Sequence, residues 1–483
     1  MHYQNNSSKV RLEILIRVAK SFKSGTLRES VDKIAYEMIP ASGTSLRCCI
    51  YKSRAVIRSR CIAALGFALE NEEDDSTLLQ VYAEEALSRP KPEAPVMTVL
   101  RIACHGCVNN RYYVTDVCQN CMARPCAVNC PVDAISFKEG RACIDGETCI
   151  DCGKCKMVCP YNAITRVSVP CEQACPVDAI HKDKSNHAEI DFDKCISCGR
   201  CMRSCPFGAV MDRSQMIDVL RAIESDKKVV ALYAPAIAGQ FPGSLEQISQ
   251  ALLELGFDDY LEVAHGADKT TTLEAAEFQE RILEEGQPFM TTSCCPAYIE
   301  TTQRHLPEIQ KYVSDTKTPM HYAAEQVKSE DPETITVFIG PCVAKRKEGF
   351  DDPYVDYVLT FEEAGALLVA EKIEVGELEE AQARNVASRQ ARGFAVTNGV
   401  ASAVASVLDE GAEIKPLCIN GLNLKAIKKL QHYATKGDAG AYNLIEVMAC
   451  EGGCVAGAGV VATPKLGALA VKRASENGRQ RDK

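Results

Sequence analysis

The 483-residue sequence has no apolar run long enough to cross a membrane. Its longest apolar segment, around residues 229–239, falls well short of the roughly 18 residues that a spanning helix needs. The first residues, MHYQNNSSKV, also lack the basic segment followed by an apolar segment that marks a secretory signal. We therefore expect a cytoplasmic protein.

An excess of positive charge is also absent. The 55 Lys and Arg residues are outnumbered by 65 Asp and Glu residues, which gives a formal net charge of −10. Residues 1–60 are basic, so the rest of the chain is more acidic than this total indicates. An acidic body argues against nucleic acid as a partner.

No glycine-rich fingerprint for NAD or flavin is present. The nearest candidate, Gly457-Ala458-Gly459, lacks the third glycine and the strand-to-helix context that such a fingerprint requires. Electrons are therefore expected to reach the protein from a separate carrier.

Cysteine, in contrast, is abundant. The chain has 26 cysteines, and 17 of them lie between Cys104 and Cys205. In a reducing compartment, cysteines at such spacings are metal ligands or catalytic groups more often than disulfides.

Patterns along the chain divide it into four parts. Apolar residues at helical spacing in LEILIRVAKSF and VDKIAYEMI predict a helical N-terminal region, residues 1–95. PCAVNCPVDAI recurs as PCEQACPVDAI, and CIDCGKCKMVCPYNAI recurs as CISCGRCMRSCPFGAV, which indicates a duplicated unit within residues 96–212. Apolar segments such as KKVVALYAP, ITVFIGPC, GALLVAEKI and GFAVTNGV, with the helix-like SLEQISQALLEL, predict an α/β domain over residues 213–463. Residues 464–483 are predicted to be a frayed polar tail.

The N-terminal region contains Cys48, Cys49 and Cys61 among five basic residues. One interpretation is a metal bound by these thiols. We favour the other, in which the thiols are buried and the basic residues form a docking face.

The duplicated region carries the C-x2-C-x2-C-x3-C-P run of bacterial ferredoxins twice. In such runs three thiolates bind one [4Fe-4S] cubane and the cysteine before proline binds its neighbour. Structural zinc, the alternative, prefers paired CxxC knuckles without that proline. The crossing rule predicts three ligand sets: Cys118, Cys121, Cys126 and Cys159; Cys149, Cys152, Cys155 and Cys130; and Cys195, Cys198, Cys201 and Cys175.

Cys171 and Cys205 remain as two ligands of a further cluster, which still needs two more thiolates. The repeat offset places the missing pair at Ala163 and Arg166, which cannot bind iron. The upstream CHGC segment supplies Cys104 and Cys107, and we predict that these four residues bind a fourth cubane. Cys143 and Cys418 fit no motif and are expected to be buried thiols.

Three later segments place cysteine beside Pro or Gly: TTSCCPAYIE (291–300), FIGPCVAKRKE (338–348) and IEVMACEGGCVAGAG (445–459). Such loops bring backbone N–H groups close to an anionic ligand. We predict one further cubane inside the α/β domain, bound by Cys295, Cys342, Cys450 and Cys454.

These segments resemble the three signature motifs of [FeFe]-hydrogenases, written TSCCPxW, MPCxxKxxE and MACPxGCxxGGGxP. The resemblance implies an α/β catalytic domain of the [FeFe]-hydrogenase type, with ferredoxin-like (α+β) iron–sulfur domains before it. It also implies an H-cluster, a [4Fe-4S] unit that Cys454 bridges to a diiron subsite carrying CO, cyanide and an azadithiolate.

The resemblance also assigns roles to single residues. Cys294 would pass protons to and from the dithiolate amine, and Lys345 would donate a hydrogen bond to a cyanide. A proton relay would run from Cys294 through a water to Glu274, Ser314 and Glu277; without the resemblance, both glutamates would be read as a solvated helix face. The residues that would line the subsite are Ala234, Pro235, Ala236, Met448 and, less directly, Phe394.

The sequence departs from the family pattern in several places, such as Gly340 and Glu451, and resembles the less-studied second group of the family. The resemblance implies reversible H2 oxidation, ferredoxin as the electron partner and maturation proteins that insert the diiron unit. It leaves three rivals: a hydrogenase-like protein of iron–sulfur assembly, an H2 sensor with slow turnover, and a plain electron carrier that would leave the α/β domain unexplained.

Overall fold

A computed structural model of the chain describes residues 5–43, 45, 47–70, 72, 76–104, 106–107, 112–382, 386–408 and 412–480. Among these residues, none of the helices combines the length and apolarity needed to span a bilayer.

The described part of the N-terminal region is helical. Its helices are α1 (Asn6–Lys23), α2 (Leu27–Ser30), α3 (Ile34–Met38), α4 (Ile50–Ala64) and α5 (Leu79–Ser88). The predicted helical segments fall in α1 and in α3 with the 3₁₀ turn before it. Asn5 caps α1 by accepting a hydrogen bond from the Ser8 N–H at 2.9 Å. The apolar face of α1 is buried, including Leu15 and Val18.

The iron–sulfur region consists of short strands and helical turns. In chain order these are β1 (Met97–Val99), β2 (Tyr112–Val114), α6 (Pro125–Val128), β3 (Ile135–Lys138), β4 (Arg141–Ile144), α7 (Lys154–Val158), β5 (Ile164–Arg166), α8 (Pro170–Ala174), β6 (Ile180–Lys182), β7 (Ala188–Ile190), α9 (Arg200–Ser204) and β8 (Val210–Asp212). The strands pair antiparallel as β1–β8, β2–β5, β3–β4 and β6–β7.

Strand pairing shows that one ferredoxin-like unit is inserted into the other. The first copy, residues 112–166, is closed by the β2–β5 pair, and we call it the inserted unit. The second copy is closed by β8 and by β1, which precedes the first copy in the chain. We call this second copy, residues 97–107 and 170–212, the outer unit. The CHGC segment therefore belongs to the outer unit. In the sequence, 62 residues lie between Cys107 and Pro170, where the outer unit resumes.

The α/β domain is built on two parallel sheets. Its elements are α10 (Met216–Ile223), β9 (Val229–Tyr233), α11 (Leu245–Glu254), β10 (Asp259–Glu262), α12 (Val263–Phe278), β11 (Met290–Thr291), α13 (Pro296–His305), α14 (Pro319–Glu330), β12 (Ile335–Gly340), α15 (Ala344–Asp351), β13 (Tyr357–Thr360), α16 (Phe361–Ala370), α17 (Arg389–Arg392), α18 (Gly399–Val407), β14 (Pro416–Asn420), α19 (Leu424–Lys436), β15 (Leu444–Met448) and α20 (Pro464–Glu476). The sheet orders are β10-β9-β12-β13 and β11-β15-β14. Because the strands within each sheet are parallel, their carboxyl ends meet at one edge, where ligands bind in folds of this kind.

Two apolar segments that suggested strands are helical. Residues 365–373 lie mostly in α16, which a capping box begins: the Thr360 hydroxyl accepts from the Glu363 N–H, and the Glu363 carboxylate accepts from the Thr360 N–H. Residues 393–400 form a 3₁₀ turn that leads into α18. In α16 the capping box therefore favours a helix, although the apolar run suggested a strand.

The predicted frayed tail is wrong for residues 464–476, which form α20. Thr463 caps this helix, Pro464 occupies its first turn and Val471 is buried. The buried side chain of Val471 anchors α20, although the sequence of this helix otherwise looks polar. Residues 481–483 lie outside the described part of the chain.

A buried ion network joins the three regions. Arg346 of α15 pairs with Asp212 of β8 and with Glu363 of α16, and Arg11 of α1 lies 2.7 Å from Asp212. Burial alone would raise the pKa of Asp212, but Arg11 and Arg346 hold it below its usual value. The network therefore stays ionised and connects α1, the outer unit and the α/β domain.

Candidate catalytic cavity

A cavity with an empty volume of about 900 Å³ lies at the carboxyl ends of strands from both sheets. The segments after β9, β11, β12 and β15 all contribute to its wall. Most of the lining is apolar, including Val263, Ala267 and Phe338. The sequence-predicted lining residues all face this cavity: Ala234, Pro235, Ala236, Phe394 and Met448.

The four predicted cubane thiols lie in the same cavity. Cys295 is the residue before α13, Cys342 ends the turn after β12, and Cys450 and Cys454 follow β15. Burial, and then the neighbouring Cys295 and Cys342, raise the pKa of the Cys454 thiol to about 12. The Cys450 pKa is raised by burial and then by Cys342, Cys295 and Cys454. Each thiol is thus an electrostatic neighbour of the others.

This arrangement fits a cluster better than a single ion. Among the described residues, no group of three or more His, Cys, Asp or Glu side chains surrounds one point closely enough to hold one metal ion. A cubane instead binds each thiolate through a different iron, so its ligands stand further apart. Because their pKa values are raised, these thiols keep their protons until a metal displaces them.

Cys294 lies on the cavity wall beside Cys295 but differs in its neighbours. Its pKa is raised well above the usual value by burial, then by Glu274 and by Cys295. The thiol therefore holds its proton at neutral pH, next to a second buried acid.

Glu274, Ser314 and Glu277 form a polar line behind Cys294, in which a hydrogen bond joins Ser314 to Glu277. Glu274 is fully buried on α12, and its two carboxyl oxygens have no hydrogen-bond partner, although the Ser293 N–H and the Ser314 hydroxyl lie near enough to lower its pKa. Burial, and then the neighbouring Glu277 and Glu446, raise that pKa to about 8. The Ser314 hydroxyl donates to Glu277 at 2.5 Å.

Glu277 ends this line near the surface. Its carboxylate accepts hydrogen bonds from Thr316 at 3.1 Å and from the Asp315 N–H at 3.0 Å, and it pairs with Arg281 at 2.5 Å. The solvated helix face considered for the two glutamates is therefore wrong for Glu274, while Glu277 is only half-buried.

Lys345 also faces the cavity, but its ammonium already has partners. It donates to Thr318 at 3.0 Å and to Glu348 at 2.9 Å, and it is 8% exposed. Its charge also lowers the pKa of Cys295 and Cys342. A buried cation beside four thiols suits an anionic metal cluster.

The sequence reasoning missed Glu446 on β15. This fully buried carboxylate accepts from the Asn398 N–H at 2.6 Å and the Ala401 N–H at 2.8 Å, at the start of α18. It raises the pKa of Glu274, Cys294 and Cys454. Only its position in an apolar strand, IEVM, could have suggested a buried charge.

The outer unit touches the cavity through Cys198. This thiol lines the cavity and contributes, after burial and the three neighbouring thiols, to the raised pKa of Cys450. Arg200 fixes this contact by donating to the Ala449 carbonyl at 2.9 Å.

The upstream cysteines gather in the four predicted sets. Burial and then Cys121 and Cys159 raise the pKa of Cys126, and Cys149, Cys152 and Cys130 act in the same way on Cys155. Burial and then Cys198, Cys195 and Cys175 raise the pKa of Cys201. Burial, and then Cys205 and Cys104, raise the pKa of Cys171 to about 12, and Cys107 also neighbours Cys205 and Cys104.

Four cysteines are less buried than expected. Cys61 is buried, as expected, but Cys48 and Cys49 are exposed because they lie in the turn that starts α4. Cys143 and Cys418 are only half-buried. Cys418 donates a weak hydrogen bond to Glu446 at 3.5 Å.

Comparison with known proteins gives three family matches. Residues 227–458 match the iron only hydrogenase large subunit, C-terminal domain. Residues 166–216 match the LdpA Fe-S cluster-binding domain, and residues 144–164 match a 4Fe-4S binding domain.

Several curated proteins are similar to parts of the chain. Iron hydrogenase 1 of Clostridium pasteurianum is 28% identical over 305 residues, which cover 51% of this chain and 53% of that protein. The periplasmic [Fe] hydrogenase large subunit of Nitratidesulfovibrio vulgaris is 26% identical over 295 residues, covering 49% and 69%. A 7Fe ferredoxin of Hydrogenibacillus schlegelii is 43% identical over 53 residues, covering 11% and 68%. The chain spans about half the length of the first of these relatives.

Solved structures give a weaker match. An [FeFe]-hydrogenase from Chlamydomonas reinhardtii is 20% identical and aligns with 56% of this chain and 91% of its own, at a TM-score of 0.46.

Proposed function

The chain belongs to the [FeFe]-hydrogenase family, and we propose that it catalyses the reversible reaction H2 ⇌ 2 H+ + 2 e−. One observation carries this proposal: five cysteines of the α/β domain line one apolar cavity, four of them as mutual neighbours and the fifth, Cys294, backed by a buried carboxyl. A protein that only stored or assembled iron–sulfur clusters would need the four thiols but neither Cys294 nor Glu274.

In this proposal Cys295, Cys342, Cys450 and Cys454 would hold the [4Fe-4S] part of an H-cluster, and Cys454 would also help to hold its diiron part. When bound, that diiron group supplies the open iron position and the base that split H2. The apolar wall formed by Ala236, Phe394 and Met448 keeps bulk water from the site.

The protein's own residues would then move the proton. Cys294 holds it as a neutral thiol, because burial keeps its pKa high. Glu274, with a pKa near 8, gains or loses it close to neutral pH. Ser314 and Glu277 lie within hydrogen-bond distance of each other and lead to the surface at Arg281.

Lys345 would act as a fixed positive charge. Thr318 and Glu348 hold its ammonium at the cavity wall, where it favours thiolates and other anions. A cyanide on the diiron group would be a further acceptor for this ammonium.

Electrons would travel through the ferredoxin-like units. The outer unit, through Cys198, lies beside Cys450, and the inserted unit would connect it to a soluble iron–sulfur carrier such as ferredoxin. Electrons move along this route without protons. The two protons of the reaction travel by the separate path through Glu274, so the overall charge stays balanced.

Infrared spectroscopy of anaerobically matured protein tests the proposal, together with H2-dependent dye reduction. We expect bands from iron-bound CO and cyanide, and turnover of H2. In Cys294→Ala the bands persist while turnover is lost; in the control Cys143→Ala, which changes a half-buried thiol outside the cavity, both persist. Absence of the bands from matured wild-type protein would contradict the proposal.

A further inference from the structure

The loop that follows Cys205 differs from its counterparts in one residue. Each ferredoxin-like unit has two Cys-Pro-x-x loops, and the fourth residue of every loop has a positive φ. At this position the other three loops have Asp133, Asn162 and Asp178, with φ of 49°, 51° and 50°. The loop after Cys205 has Gly208, with φ of 57°. Because aspartate and asparagine adopt this conformation in the other loops, backbone freedom alone does not require the glycine.

The N-terminal region occupies the space that a side chain at position 208 would need. A Cβ atom on Gly208 would overlap with the Ser7 hydroxyl and with the Arg60 guanidinium. Ser7 lies in the first turn of α1, and Arg60 lies in the last turns of α4. In the inserted unit the equivalent Asn162 is exposed. Gly208 therefore makes room for a contact that only the outer unit has.

Arg60 forms the centre of this contact. Its guanidinium donates to the carbonyls of Phe207 at 3.2 Å and Gly208 at 3.1 Å, and to the Ser7 hydroxyl at 3.0 Å. The side chain is 4% exposed, and together with Cys205 it lines a cavity with an empty volume of about 730 Å³. Arg60 is one of the five basic residues that were expected to form a docking face, so it docks within the chain.

The charge of Arg60 is not neutralised by a neighbouring acid. Within the described part of the chain its hydrogen-bond partners include no carboxylate, and its Nε has no partner. Glu362 lines the same cavity but pairs with Arg11 at 3.0 Å, and Arg203 donates to backbone carbonyls. Burial, and then Arg11 and Arg47, lower the pKa of Arg60 to about 10, so the side chain is still a cation at neutral pH.

The four thiols next to this cation fit a cubane. Burial, and then Cys205 and Cys104, raise the pKa of Cys171, which shows that these thiols are neighbours. Cys104 accepts a hydrogen bond from the Ala188 N–H at 3.2 Å, and Cys205 accepts one from the Ala209 N–H at 3.4 Å. Backbone N–H groups directed at cysteine sulfurs are typical of iron–sulfur sites. We call the cluster expected here the fourth upstream cluster, with Cys104, Cys107, Cys171 and Cys205 as its ligands.

The outer unit itself contributes one charge of each sign to this site. The Lys182 ammonium lies 3.5 Å from the Cys104 sulfur and lowers the pKa of Cys171, whereas Glu172 raises it. These two effects oppose each other. Arg60, which the N-terminal region supplies, is therefore an additional positive charge at the fourth upstream cluster.

We propose that the N-terminal helical region raises the reduction potential of the fourth upstream cluster by placing Arg60 against the loop after Cys205. Arg60 is a positioning residue in this role, and the inference rests on the proposed cluster and electron route. Reduction adds one electron, which H2 supplies in the proposed reaction, and no bond forms or breaks. The added negative charge is more stable beside a buried cation. Residues 1–95 lie outside the three family matches, and this gives them a function.

A redox titration with dithionite, followed by electron paramagnetic resonance, tests this on full-length protein made without the diiron maturation proteins. The signal of the fourth upstream cluster is the one that Cys104→Ser with Cys107→Ser removes. Arg60→Gln keeps a hydrogen-bond donor but removes the charge, and at a fixed potential it should lower the ratio of reduced to oxidised cluster about tenfold, a shift of about 59 mV for one electron. Arg60→Lys keeps the charge and should leave the potential close to that of wild type.

Two further variants separate charge from folding. Arg54→Gln changes a half-buried arginine of the same helix, which donates to the Ile39 carbonyl, and should not shift the potential. Gly208→Asn installs the residue found at the equivalent position of the inserted unit and displaces Arg60, so it should lower the potential. This variant takes the place of Arg60→Gln if the latter does not assemble its clusters.

An unchanged potential in Arg60→Gln, or an equal fall in Arg60→Lys, would overturn the proposal. If the double cysteine variant loses neither signal nor iron, the fourth upstream cluster does not exist and the proposal fails with it. That result would leave the infrared test of H2 chemistry unaffected, so the failure of this inference and the failure of the proposed function are distinguishable.

Discussion

At the scale of single residues, Glu274 is the group whose chemistry depends most on its surroundings. A carboxyl on a helix normally titrates near 4.5, but complete burial and two neighbouring carboxyls raise this pKa to about 8. Its side chain is fully buried, and a buried carboxyl with so strongly shifted a pKa marks a candidate functional group. Such a site is typical of a proton carrier.

We predict that Glu274→Gln lowers H2 turnover about 100-fold or more, because the amide keeps the shape of the side chain but cannot exchange a proton at this position. Activity of matured protein with a dye acceptor measures this. Glu280→Gln changes an exposed glutamate just beyond α12 and should leave turnover unaffected. Equal turnover in Glu274→Gln and wild type would remove Glu274 from the relay.

The same substitution should change the pH dependence of stability. Between pH 4.5 and about 8, the unfolded chain releases the Glu274 proton while the folded protein keeps it, so folding loses stability as pH rises across this range. The glutamine variant lacks this contribution. Its Tm should therefore exceed that of wild type by more at the alkaline end of the range than at the acidic end, as calorimetry would measure.

At the scale of elements, the ion network of Arg346 holds α15 in place. This helix starts two residues after Cys342 and carries Lys345, so its position sets two parts of the site. Arg346 is buried between two carboxylates, Asp212 of β8 and Glu363 of α16. A buried pair of this kind matters mostly when one partner is removed, because the remaining charge is left without compensation.

We predict that Arg346→Met lowers the free energy of unfolding by about 3–5 kcal/mol, since it removes the cation that pairs with buried Glu363 and leaves buried Asp212 paired with Arg11. The next residue provides a matched control: Lys347 pairs with Asp351 at the surface, and Lys347→Met should cost no more than about 0.5 kcal/mol. Calorimetry of anaerobically purified protein compares the two. Similar losses in both variants would mean that the buried network contributes little.

At the scale of the whole molecule, insertion of one ferredoxin-like unit into the other decides which cysteines meet. Cys104 and Cys107 precede the inserted unit, whereas Cys171 and Cys205 follow it. Pairing of β1 with β8 brings both ends of the outer unit together, and Cys104 becomes a neighbour of Cys171.

We predict about 20 irons per chain in protein made without the diiron maturation proteins, from five cubanes of four irons each. Cys104→Ser with Cys107→Ser should remove up to about four of them, and Cys143→Ser should remove none. Iron and sulfide analysis measures this. A wild-type value of about 16 that the double variant leaves unchanged would exclude the fourth upstream cluster.

The amino-acid sequence by itself determined the cysteine spacings, the repeat and the motifs of the α/β domain. These features are local: a C-x2-C-x2-C loop needs only its own backbone to bring three thiols together, so its role can be read without knowing the fold. The motif segments around Cys295, Cys342 and Cys450 are equally short. The family assignment followed from them.

Only the tertiary structure decided the contacts between distant segments. It buried Glu446 behind the cavity, gave Lys345 its partners Thr318 and Glu348, packed α20 through Val471 and left Ile150 open while covering Ile196. Burial and charge pairing depend on which surfaces meet, and residues far apart in the chain determine that. Two nearly identical repeat segments therefore acquired opposite surroundings.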